Sequence, residues 1–243
     1  MPCLREVRFL DLTLRDPAAN LACDEALLDA CEDGLAPEVL RFWEPKDYFV
    51  VVGYANRVSL EVNLEACARE NIGVYRRCTG GGTVLQGPDC LNYSLILRMD
   101  GDNPVQTITA ANRYVMERHR QALAGALDLP VCVRGITDLA VGDRKFSGNA
   151  QRRKRKALIF HGTFLLGMDI AKVPVFLTMP SRQPDYRQGR NHQQFMMNLE
   201  APATAIKAAL REMWLAKEVL ATVPDFTALL DEKYSAQQWN LKY

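Results

Sequence analysis

Four β-rich runs, at residues 131–133, 138–141, 145–150 and 158–166, follow one another with only short gaps between them. Gly142-Asp143 separates the second and third as a hairpin signal. A hairpin pairs its two strands antiparallel; for the rest the pattern leaves a mixed or an antiparallel sheet open. The block follows the longest helical pattern, 104–127, in which Ile108, Ala111, Val115, Leu123 and Leu127 lie broadly on one face. Upstream, strands are expected at 7–14, 39–42, 48–52, 73–77 and 91–98. Helices are expected at 20–30, opened by Asp16-Pro17, and at 60–70. The tail reads as helix at 203–220 and 225–234. This order is neither a βαβ repeat nor all-β. It predicts an α+β fold, a mixed β-sheet packed with helices.

Composition narrows the function classes. Of 243 residues, 48% are apolar and 24% charged, which excludes a disordered or fibrous chain. Lys plus Arg number 30 against 29 Asp plus Glu, a net charge of +1 without the excess of a nucleic-acid wrapper. No apolar run approaches the ~18 residues of a membrane span. The start, Met1-Pro2-Cys3-Leu4-Arg5-Glu6, is charged too early for a signal peptide. Seven cysteines with no CxxC pair argue against a disulfide framework or structural zinc, and for a reducing cytoplasm. Cys23, Cys31 and Cys67 read as core residues, and so does Cys132 in its Val-Cys-Val context.

Three segments carry chemistry. Arg76-Arg77-Cys78-Thr79-Gly80-Gly81-Gly82-Thr83 ends a strand in three glycines, which let backbone N–H groups approach an anion, with two arginines beside them. It is not a P-loop, since no Gly-Lys-Ser/Thr follows. Residues 138–151, DLAVGDRKFSGNAQ, place Lys145 after a tight turn and before the small Ser147-Gly148 pair. A lysine so fixed can hold one negative oxygen. Residues 161–166, His-Gly-Thr-Phe-Leu-Leu, read as a strand whose start faces a site.

Taken in order, NLACDEALL (20–28), LRFWEP (40–45), RRCTGGGTV (76–84), LNYSLI (91–96), TDLAV (137–141), RKFSGNAQ (144–151) and HGTFLL (161–166) resemble the lipoate–protein ligase family, which stands with biotin ligases and octanoyltransferases. The resemblance implies the biotin/lipoate ligase catalytic-domain fold, related to the core of class II aminoacyl-tRNA synthetases. It implies a catalytic domain over 1–220 and a helical tail over 221–243 that resembles the start of an accessory domain. The implied activity is ATP-dependent: lipoate (or octanoate) and Mg²⁺-ATP give an acyl-adenylate. A lysine of a lipoyl carrier domain then attacks it, the carrier being an oxo-acid dehydrogenase E2, a glycine-cleavage H protein or similar. On that resemblance either the chain adenylates alone, or a separate small protein replaces the missing accessory domain.

On that resemblance, Lys145 is the catalytic lysine at the reacting carbonyl or phosphate. Arg76, with Arg77, Gly80, Gly81, Gly82, Thr83 and Val84, matches the ligand-binding loop. Asn92, Tyr93, Ser147, Gly148, Ala150, His161, Gly162 and Thr163 line the adenylate pocket. Leu12, Val84 and Tyr93 are wall candidates for the acyl tail. Asp138 is the expected nucleotide-side acid and Mg²⁺ ligand, although Thr137 stands where ligases show Asn.

Two other readings remain open. One is a cysteine-dependent octanoyl or lipoyl transferase that moves the acyl group between carriers without ATP. Its thiol would be Cys78 or Cys132, because no Cys lies in 134–138, shortly before the lysine strand, and no late Pro-Cys-Gly occurs. The other is a non-catalytic lipoate-binding protein. The basic block Arg152-Arg153-Lys154-Arg155-Lys156 reads equally as a solvated hairpin tip or as a dock for an acidic carrier. Residues 181–199 match the family region where a basic Ser-Arg stretch precedes an Asn-Leu, and read equally as a loop closing over the adenylate or as a surface connection; His192 within it has no assigned role.

Overall fold

The computed structural model describes residues 7–101, 104–180 and 182–243. The chain runs β1 (Arg8–Asp11), α1 (Pro17–Glu32), β2 (Val39–Trp43), β3 (Phe49–Val52), α2 (Val58–Glu61), α3 (Leu64–Arg69) and β4 (Gly73–Arg76). It continues through β5 (Val84–Gln86), β6 (Cys90–Arg98), α4 (Ile108–Leu127), β7 (Val131–Arg134), β8 (Asp138–Val141), β9 (Arg144–Arg153) and β10 (Ala157–Leu165). It ends with α5 (Val173–Phe176), α6 (His192–Phe195), α7 (Ala203–Met213), α8 (Thr227–Leu229), a π turn (Leu230–Tyr234) and α9 (Gln237–Asn240).

Seven strands form one sheet in the order β1-β2-β6-β10-β9-β8-β7, and three form a second, β4-β3-β5. In the large sheet only β1 and β2 pair in parallel; the rest is antiparallel. The 131–166 block supplies four neighbouring strands, β7 to β10, with the Gly142-Asp143 hairpin between β8 and β9. Alternation along each strand separates the faces. Leu158, Phe160 and Phe164 of β10 join Ala111, Val115, Ile206 and Leu210 in the core under α4 and α7. Ile159 faces the other way, onto Cys23, Leu27 and Leu28 of α1. His161 and Thr163 continue that second face, which is where the site lies. Arg41, Ser94, His161 and Ala150 form one row across it.

Helix ends follow local chemistry. Asp16 caps α1 by accepting from the Ala18 N–H at 2.8 Å, with Pro17 in the first turn. The helix expected at 60–70 is two short helices instead: Val62 is extended and bridges to Leu177, and Asn63 caps α3. The helix expected to reach 220 stops at Met213, because Leu215 takes a left-handed conformation (φ 52°). The following residues run beside β1, where the Leu220 N–H donates to Phe9 O at 2.8 Å. The tail folds back onto the core: Tyr234 is fully buried with Leu21, Trp43, Phe49 and Val51. The expectation at Met1–Glu6 lies outside the described residues. No described helix is long and apolar enough to cross a membrane.

Candidate active site

The site begins with an irregularity in β9. Along that strand Ser147, Asn149, Gln151 and Arg153 turn toward the α4 side, where Gln151 Nε2 reaches Ile108 O and Arg153 reaches Val105 O. Strict alternation would send Lys145 there too. Between Leu139↔Ser147 and Ala140↔Lys145 the register shifts by one residue, with Phe146 as the extra residue. Such a bulge re-aims the side chains beyond it. Phe146 goes to the core and Lys145 to the face that carries Gly148 and Ala150. There Lys145 Nζ lies 2.7 Å from Asp138 Oδ1. A Cβ on Gly148 would sit 2.6 Å from that Nζ. The lysine therefore lies folded over a residue that has no side chain.

The register extends the same face to the sheet edge. Cys132 stands opposite Ala140, which stands opposite Lys145, and Arg134 stands opposite Asp138. Val131 and Val133 point to the core instead. Cys132 is half-buried, with its thiol donating toward Ala140 O at 3.3 Å. The expectation of a core cysteine is corrected: β7 is an edge strand with one covered face, and Cys132 is on the other.

The glycine loop lies against the Ala150 end. Gly81 has φ +87°, and a Cβ there would meet Arg77 Nη2 at 2.9 Å and the Ala150 methyl at 3.4 Å. Arg77 braces the loop from inside, donating to Gly80 O and Gly82 O, both at 2.7 Å, and to Val51 O. Burial pushes its pKa down to about 10. Below the loop Thr79 Oγ1 meets His161 Nε2 at 2.6 Å. Burial, and then the Arg77 charge, push His161 down to about 4, so the imidazole is neutral.

The placement of Arg76 departs from expectation. It is fully buried, and its side chain donates to five carbonyls: Trp239, Gly53, Tyr54, Asn56 and Lys242. Trp239 Nε1 donates back to Arg76 O at 2.8 Å. Arg76 therefore clamps the C-terminal segment and is not a ligand-binding arginine. Tyr93 is buried on the opposite face, stacked on Phe164, with its hydroxyl donating to Asn149 Oδ1 at 2.6 Å; it is no wall of a site on this face. Ser147 is buried toward that core and Gly162 lies against Asn149. Asn92, Thr163 and Gln86 close a hydrogen-bonded ring on the site face. Thr83 donates to Glu61, and Val84 packs with the small sheet. Leu12 packs beside the α1 core, away from Lys145. Cys78 is buried, and burial followed by the Glu25 charge pushes its thiol up to about 11.

The basic block is mostly engaged. Arg152 pairs with Glu25 at 3.1 Å, Lys154 with Asp29 at 2.6 Å, and Arg153 with carbonyls of the turn before α4. Only Arg155 and Lys156 form an exposed tip. As for a metal, Asp138 has its second oxygen accepting from Tyr186 OH at 2.8 Å. Among the described residues no group of three or more His, Cys, Asp or Glu could hold an ion. These donors do not fit the expected Mg²⁺ site.

Tyr186 is the residue that sequence reasoning missed. It lies in the 182–195 segment, over Gly135, and its ring packs on Phe195. Burial and the Asp138 carboxylate hold its pKa above the ordinary phenol value, so it stays a donor. Nothing in the spacing of residues announces this contact, which joins positions 48 apart.

Comparison with known proteins follows this geometry. The family model for the lipoyl protein ligase A/B catalytic domain matches residues 16–221. A curated relative from Lysinibacillus sphaericus, named octanoyltransferase LipM, is 27% identical and covers 96% of this chain and 98% of its own. Another of that name, from Halalkalibacterium halodurans, is 31% identical over 76% of this chain and 74% of its own. The bi-partite lipoate protein ligase of Thermoplasma acidophilum superposes with a TM-score of 0.82 at 23% identity, covering 98% of this chain and 96% of its own, a likeness of fold. The expected fold class holds. The expected ATP-dependent ligation does not: the curated relatives that span nearly the whole chain carry the name of a transferase.

Proposed function

The chain belongs to the lipoyl protein ligase A/B catalytic-domain family, and from that premise we propose that it transfers octanoyl groups between carriers through a cysteine thioester. The observation that carries this reading is the position of Cys132, half-exposed on the same sheet face as Lys145 and Asp138. The rival thiol, Cys78, is sealed and held protonated by its surroundings.

In the first step Cys132 loses its proton and its sulfur attacks the carbonyl carbon of the donor thioester. The donor C–S bond breaks, and the donor leaves as a thiol carrying that proton. In the second step the ε-amine of a lysine on a lipoyl carrier domain attacks the same carbonyl. An amide forms, and the Cys132 sulfur departs and recovers a proton from the amine. The thioester supplies the driving force, so the reaction draws on neither ATP nor Mg²⁺. Lys145 offers a fixed positive charge to the thiolate and to the oxyanion of each tetrahedral intermediate. Asp138 and Tyr186 anchor that lysine. Lipoyl groups fit the same chemistry, and no accessory subunit is called for. The six described cysteines are all free thiols, which supports a cytoplasmic setting.

The test supplies the protein and a lipoyl carrier domain with either an octanoyl thioester or octanoate plus Mg-ATP. Mass spectrometry should find octanoyl-lysine from the thioester without nucleotide. Product from octanoate and ATP alone would end the transfer reading.

A further inference from the structure

Arg187 and Arg190 are an ion pair's positive half without the negative half. Both guanidinium groups lie on the Phe195 ring, at 4.8 and 5.4 Å from its centre. Arg187 is only 4% exposed. Its Nε donates to Arg190 O, and Arg190 donates back to Arg187 O and Tyr186 O. Among the described residues neither has a carboxylate within ion-pairing distance. The acid whose field reaches Arg187 is Asp138, and both of its oxygens are taken, by Lys145 and Tyr186. Burying one cation beside another without an anion is unfavourable, so the arrangement suits an anion supplied from outside.

The setting indicates which anion. The segment that holds the pair runs directly into the strand bridge between Met196 and Lys145. Arg144, next to that bridge, donates to Met196 O. A target lysine must therefore approach Lys145 with Arg187 and Arg190 in the segment that bridges to it. Like charges oppose that approach, unless the acceptor brings negative charge with it.

Resting on the transfer reading, we propose that Arg187 and Arg190 form a carboxylate receptor for an acidic residue flanking the target lysine of the acceptor carrier domain. The fork of each guanidinium matches a carboxylate. Engagement there places the lysine amine on the Cys132–Lys145 face and offsets the positive charge of the two arginines.

The probe is one lipoyl carrier domain in two forms, with Asp or with Asn immediately before the target lysine. Calorimetry on the unacylated protein measures binding without any transfer, so it stands even if the transfer reading fails. The Asp form should bind about tenfold tighter than the Asn form, and R190Q should erase most of that difference. R187Q should do the same; if it misfolds, the half-exposed Arg190 carries the test. In transfer assays R190Q should raise KM for the Asp-form acceptor and leave KM for the octanoyl donor unchanged. The proposal is overturned if both forms bind wild type equally. It is also overturned if R190Q weakens both forms alike, or if R190Q raises the donor KM instead, which would assign the pair to a phosphate on the donor's arm.

Discussion

Replacing Gly148 by Ala separates the role of Lys145 from the stability of the sheet. The added Cβ would lie 2.6 Å from Lys145 Nζ and 2.8 Å from its Cε, but 3.8 Å from Asp138 Oδ1. Contacts under 3 Å cannot persist, and the mobile partner is the tip of a flexible side chain, so Lys145 gives way. It then leaves its 2.7 Å contact with Asp138. Gly148 is in β9 without a positive φ, so its backbone accepts alanine. In a strand interior Ala is favoured over Gly by roughly 0.5–1 kcal/mol. That gain opposes the small cost of moving a half-exposed lysine, and the net change in stability should stay within about 1 kcal/mol, or about 2–4 °C in Tm for a chain this size. Activity should fall much further, by ~10²–10³ in kcat, as when a preorganised oxyanion donor is lost. Thermal unfolding and octanoyl-transfer kinetics on the same preparation read both quantities. A variant with wild-type kcat would refute the assigned role of Lys145, and a large drop in Tm would refute the reasoning about where the strain goes.

Arg76→Met should destabilise the fold by more than about 3 kcal/mol, since five backbone carbonyls, that of Gly53 buried, lose a charged donor. Removing residues 239–243 should cost a similar amount, and the two changes together should cost less than their sum, as denaturant titration can show. Asp24→Asn breaks the buried 2.5 Å pair with Arg41 and should cost roughly 3–5 kcal/mol by the same assay. All three histidines have depressed pKa values in the folded state: His119 about 3, His161 about 4 and His192 about 4, from 6.5, each chiefly by burial. The unfolded chain therefore binds more protons between pH 6.5 and 4. Stability present above 6.5 should be lost as pH falls through that window, by at most about 1.4 kcal/mol per pH unit for each histidine. Denaturation midpoints that stay flat from pH 7 to 5 would contradict this.

The sequence revealed the sheet's order better than its faces. Hairpin signals such as Gly142-Asp143 announce antiparallel neighbours, and Asp16-Pro17 announces α1, because both effects are local. The bulge at Phe146 is invisible in the residue pattern, since Phe146-Ser147 looks like ordinary alternation, yet it decides that Lys145 faces the site. Val-Cys-Val likewise reads as core until β7 is known to be an edge strand with one open face. The two arginines before the glycines are adjacent in sequence but serve different neighbours: Arg77 braces the loop and Arg76 holds a segment more than 160 residues away. Contacts at such separations, like Tyr186 to Asp138, depend on tertiary packing and leave no periodic trace.

The most direct test of a covalent transfer is the mass of the protein itself. Incubated with an octanoyl thioester and no acceptor, the intact protein should gain one octanoyl group, and peptide mapping should find it on Cys132. Cys132→Ser should abolish the adduct and the transfer, while Cys78→Ser should retain both. An adduct on Cys78, or full transfer by the Cys132→Ser variant, would contradict the account.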